Sequence, residues 1–135
     1  MKELIITKIK PQFTTVITTL DVYEDNLFVD GVLRAPKGFL KLYQRVVAVG
    51  PNVHHVKEGD LVLLNLQNYV IKKYKENSLN NDMSEREEEY VYDFPKILIN
   101  NEVYGKFQDR DIDGIIEDFV EKEIEESTGN GLFEN

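Results

Sequence analysis

The sequence predicts an all-β fold, a small closed barrel or sandwich. Three observations carry this. Short runs rich in β-branched residues recur along the chain, Gly, Pro and Asn pairs punctuate them, and the runs are apolar on both faces. At 135 residues, with 41% apolar residues, the chain is long enough to build one core without disulfides or metal staples.

Taken in order, ELIITKI and FTTVITTL read as strands, separated by Lys10-Pro11, which breaks a ladder. KLYQRVVAVG and DLVLLNL follow, bounded by Gly50-Pro51 and Gly59-Asp60. YVIKKY supplies a fifth. Residues 75–89, KENSLNNDMSEREEE, are polar and read as a solvated excursion. Apolar runs then resume as YVYDF, KILI and EVYGKF, and Asn100-Asn101 suits a two-residue turn between the last two. At the end, Ile112, Ile115, Ile116, Phe119, Val120 and Ile124 fall near helical spacing, while Gly114 and the β-branched residues favour a strand. A strand over residues 112–116 is expected, then a helix to about residue 126. No internal repeat is present.

Composition excludes several function classes. Without cysteine there is no thiolate catalysis and no zinc-thiolate site. The net charge of −9 comes from residues 82–93 and 117–135, while the first 81 residues are nearly balanced. No Lys/Arg cluster forms a phosphate-binding footprint, so nucleic acid is not an expected partner. No run approaches the roughly 20 apolar residues that span a bilayer, and the start MKELIITKIKPQF does not read as a secretory signal. A soluble, cytoplasmic protein is expected.

Two stretches resemble chemical sites. His54-His55 are adjacent, so they do not share a face of a strand or a helix, and the chain has no third histidine. They read as turn residues. Asp109, Asp111 and Asp113 with Gly114 have the spacing that opens a calcium loop, but its twelfth position is Val120 where a bidentate Glu is needed. An acidic turn leading into a strand is expected there. Ser78, Ser84 and Ser127 lie outside any G-x-S-x-G, and no phosphate-binding G-x-x-x-x-G-K-[ST] occurs. The sequence predicts a binding protein, with no enzymatic activity, cofactor or metal.

The remaining feature is YEDNLFVDGVLRAPKG, residues 23–38. Asp30-Gly31 between LFV and VLR signals a type I′ hairpin turn. Leu27, Phe28, Val29, Gly31, Val32 and Leu33 also form an apolar tip on a long connection, a common way to present a contact to another protein.

With these pieces in order, the chain resembles the GroES-type co-chaperonins. VVAVGPN followed by VKEGDLVLL is similar to the family's strand that ends at a Val-Gly-Pro or Val-Gly-Asn corner and restarts at Val-x-x-Gly-Asp; Gly50 and Gly59-Asp60 are the matching positions. INNEVYGKFQDRDIDGII resembles the family's closing pattern, matching at Asp111, Ile112 and Ile115-Ile116. The FTTVITTL run would be the first barrel strand. The histidines fall where bacterial members carry a roof hairpin, and its shortening looks like the phage-encoded members.

The resemblance implies a GroES-like barrel over residues 1–118, with a mobile interaction loop at 21–40. An acidic insertion at 75–93 and an acidic tail at 119–135 complete the domain plan. It implies a homo-oligomeric ring, heptameric in the family, that caps a large chaperonin through Gly31-Val32-Leu33. The third aliphatic of that docking triplet is replaced by Arg34, and the insertion and tail are further departures. These favour an alternative: a phage head or collar protein that reuses the barrel and binds virion proteins.

Overall fold

The computed structural model describes residues 1–74 and 88–123. Ten strands form among the described residues: β1 (Thr15–Thr18), β2 (Leu27–Val29), β3 (Val32–Ala35), β4 (Tyr43–Val49), β5 (Leu61–Leu64), β6 (Val70–Tyr74), β7 (Glu88–Tyr92), β8 (Lys96–Ile99), β9 (Glu102–Gln108) and β10 (Ile112–Ile115). Six make an antiparallel sheet in the order β10-β5-β4-β1-β9-β8, while β2-β3 and β6-β7 are separate hairpins. The all-β prediction holds.

β1 lies in the interior of the sheet order and is buried on both faces. Val16 belongs to the core with Val46, Val62, Leu64, Leu66, Phe94 and Phe107, and Ile17 is buried on the opposite side. A 3₁₀ turn at Gln67–Tyr69 swings Tyr69 over this core, edge-on to Phe94 and Phe107 with ring centroids 6.4 and 6.0 Å away. The Tyr69 hydroxyl donates to Asp111 Oδ2 at 2.6 Å, and the Gln108 N–H donates to the same oxygen at 2.9 Å. The carboxylate of Asp111 thus fastens the turn before β10 to the turn before β6.

The motif corners are built as the sequence indicates. At Gly50, a Cβ would overlap the Phe13 carbonyl oxygen and lie 2.8 Å from that of Gln12, so only glycine allows this approach. Asn100 and Asn101, with φ of 52° and 65°, form the two-residue turn of the β8-β9 hairpin.

Three expectations are corrected. ELIITKI forms no strand. The segment runs out exposed, touching the sheet where the Ile6 carbonyl accepts from the Asn100 N–H at 2.7 Å. No helix follows β10 over residues 116–123. The strand expected before it is present: β10 pairs with β5, and the Ile116 N–H donates to the Leu61 carbonyl at 2.8 Å. The end of the predicted helix, 124–126, lies outside the described residues. Residues 88 and 89, the end of the predicted solvated excursion, belong to a strand, β7, together with residues 90–92 of the expected YVYDF run. It pairs with β6 so that Lys73 faces Glu89, an opposite-charge pair suited to a hairpin. The rest of the insertion, 75–87, and most of the tail lie outside the described residues.

Candidate partner-binding arm

Between β1 and β4 the chain leaves the sheet, turns and returns. The root of this excursion is an antiparallel ladder. Val22 bridges Leu40, the Tyr23 N–H donates to the Phe39 carbonyl, and the Lys41 N–H donates to the Asp21 carbonyl. The Gly38 N–H closes back on the Tyr23 carbonyl at 2.8 Å. Above the root, the Lys37 N–H donates to Asn26 Oδ1, and β2 pairs with β3. Asp30 and Gly31 take φ of 51° and 79°, the positive pair a type I′ turn requires. The segment expected as a loop is therefore a strand-paired arm, as the Asp30-Gly31 signal had indicated.

The six predicted contact residues come together at the outer end. Val29 faces Val32 and Phe28 faces Leu33, so both surfaces of the tip are apolar, and Gly31 occupies the turn. Val29, Val32 and Leu33 are 40, 50 and 48% exposed, whereas Leu27 and Phe28 are half-buried. None is part of the core cluster. Leu27 pairs with Ala35 and Phe28 with Leu33, so Arg34 is the extra residue of a bulge. The charged residue at the third triplet position is thus outside the regular pairing of the tip.

At the base, the Lys41 ammonium lies 5.4 Å from the Tyr23 ring centre and 5.6 Å from that of Tyr43. Burial, then the neighbouring Tyr43, raises the Tyr23 hydroxyl above its ordinary pKa. An apolar cleft of about 330 Å³, lined by Leu20, Val22, Phe39, Leu40, Tyr90 and Tyr92, sets β7 beside the arm's root.

The other sequence candidates do not converge. His54 and His55 are exposed in the β4–β5 connection, lining a groove beside Ile115 and Glu117. No group of three His, Asp or Glu that could hold a metal occurs among the described residues. Asp111 is engaged with Tyr69 and Gln108, and Asp113 accepts from Asn65 Nδ2 at 3.4 Å. Among the described residues no helix is long and apolar enough to cross a membrane. Sequence reasoning assigned no role to Gln44, which is fully buried. Its signal was a polar residue two positions before Val46, on the same face of an apolar strand.

No protein-family model and no curated protein matches the chain. The likeness to GroES-type co-chaperonins rests on the motifs themselves.

Proposed function

We propose that this protein is a co-chaperonin: a ring-forming, GroES-like barrel that caps a large ATP-dependent chaperonin through the tips of its arms and assists protein folding. The observation that carries the reading is the apolar tip at Val29, Val32 and Leu33, held away from the core on a paired arm. The motif likeness around Gly50, Gly59-Asp60 and Asp111-Ile112 supports it. The exposed Leu4 and Ile5, and the outer edges of β8 and β10 at the ends of the sheet order, offer surfaces for self-association.

The mechanism is multivalent. Each tip docks a small apolar area in a groove of the partner, and linking several tips on one ring makes later contacts intramolecular. The weakness of one contact permits release when nucleotide turnover reshapes the groove. The test is ATP-dependent co-elution of the purified protein with a chaperonin ring. Leu33→Asp is expected to abolish co-elution while light scattering still shows the ring; a Leu33→Asp protein that supports refolding as wild type does would overturn the assignment.

A second reading, a virion head or collar protein, is favoured by Arg34, which replaces the third aliphatic of the docking triplet and is bulged out of the tip's pairing. A monomer in solution that assembles only with virion proteins would support it over the first.

A further inference from the structure

We infer that Gln44 is the residue that positions the arm, fastening both of its ends to one point on β4. The inference rests on the proposed function only for its effect on partner capture; the anchoring geometry stands without it.

Gln44 is 0% exposed, and its side-chain amide is saturated. Nε2 donates to the Asp21 carbonyl at 2.9 Å and to the Lys41 carbonyl at 2.7 Å. Oε1 accepts from the Asp21 N–H at 2.8 Å and from the Thr19 hydroxyl at 2.9 Å. Asp21 is where the chain leaves the sheet and Lys41 is where it returns. One side chain therefore grips the outgoing and incoming strands together, and the Lys41 N–H to Asp21 carbonyl bond closes the ring between them.

The position explains why a side chain is needed. β1 pairs with β4 through Thr18, and the last backbone bond between them is the Thr19 N–H to the Arg45 carbonyl. Beyond it the outgoing chain departs, and the Gln44 amide takes over where the ladder stops. Two donors and two acceptor sites at this reach are a property of glutamine. Glutamate lacks the donors, methionine lacks both, and asparagine is one methylene shorter.

Loss of this anchor should loosen the arm's root without dissolving the sheet, because β4 remains paired with β1 and β5 by its backbone. The experiment is native-state amide hydrogen exchange on the full chain, alone, with Gln44→Met and Gln44→Glu. In Gln44→Met the root amides of Asp21, Tyr23, Gly38 and Lys41 are expected to exchange roughly ten- to a hundred-fold faster. The core amides of Val46 and Leu64 should keep their protection. In Gln44→Glu the carboxylate still accepts from Asp21 and Thr19 but turns an oxygen against two carbonyls. Root protection should then be low at neutral pH and recover toward wild type on acidification, as the carboxyl gains a donor proton.

Wild-type root exchange in Gln44→Met, or pH-independent protection in Gln44→Glu relative to wild type, would overturn the inference. So would simultaneous loss of core and root protection in both variants, since Gln44 would then hold the sheet and not the arm. If the variants show the expected exchange pattern but the wild-type chain, its root protected, fails to capture a chaperonin, the proposed function falls and the anchor stands.

Discussion

Shortening Leu33 to alanine tests the arm quantitatively. In the free protein Leu33 is 48% exposed and its main partner is Phe28 across the hairpin. Losing that cross-strand contact costs about 0.2–1 kcal/mol, and it lies outside the core cluster, so global stability should barely move. Full burial of a leucine side chain is worth about 1.5–3 kcal/mol, and about half of that remains to be gained when the tip docks. Leu33→Ala should therefore remove roughly 1 kcal/mol per arm, about a five-fold loss for a single contact. In a ring with about seven arms engaged together, the losses combine to about 7 kcal/mol, or roughly 10⁵ in affinity. Titrating rings of mixed wild-type and Leu33→Ala subunits onto a chaperonin with ATP reads this directly. The logarithm of affinity should fall in proportion to the mutant fraction. A fully mutant ring weakened only about five-fold would mean that a single arm carries the contact, and the multivalent mechanism would be wrong. No weakening at all would remove the tip from the interface.

Two further predictions concern the scaffold that holds the arm. Gly50→Ala forces the backbone at Gln12 and Phe13 to shift, straining the bonds from Gly50 to Thr15 and from Asn52 to Phe13; a loss of about 2–4 kcal/mol is expected in urea unfolding, and a loss below about 0.5 kcal/mol would show that the close approach is not a constraint. Tyr69→Phe leaves the buried Asp111 carboxylate without its hydroxyl donor and should cost about 1.5–3 kcal/mol. In the folded protein, burial first and Asp111 second push the Tyr69 hydroxyl up to about 12 from its ordinary 10. Because the folded value is the higher one, this stabilisation is fully present below pH 10 and is lost as pH rises toward 12. The stability gap between wild type and Tyr69→Phe should shrink across that window, and a gap that stays constant would contradict the linkage.

Strand identity was legible wherever a run was bounded by a residue with a backbone role. Gly50, Gly59, Asp30-Gly31 and Asn100-Asn101 each mark a turn or close approach that few other residues tolerate, and each appears at the predicted corner. ELIITKI misled because β propensity describes a side chain's fit to a half-buried pleated surface, and this segment, Leu4 and Ile5 included, stays exposed. The strand expected over 112–116 is β10, paired with the open edge of β5, whereas the helical spacing carried on through Phe119 and Val120 misled, since those two side chains stay exposed and lie outside the core cluster. The arm's tip was readable from its apolar residues and turn. Its anchor was not, because Gln44 acts through Asp21 and Lys41, contacts that exist only once the chain has returned to the sheet.

A paired arm alters the energetics of capture. Ordering an unstructured loop costs about 1–2 kcal/mol per residue of backbone, which would cancel the gain from three half-exposed aliphatic side chains. In this protein, pairing of β2 with β3 has already fixed that backbone, so most of the burial gain is retained on docking. The gain itself is small. Half the surface of Val29, Val32 and Leu33 is already covered, leaving about 3–4 kcal/mol per arm, equivalent to a single-arm dissociation constant in the millimolar range or weaker. A virion subunit retained by one such arm would dissociate readily and would need a second interface. A ring presenting several copies needs none: it binds when all tips find grooves together and leaves once a few of those grooves change. The modest size of the tip, set beside the preformed backbone that carries it, is what favours the reversible cap over the permanent clamp.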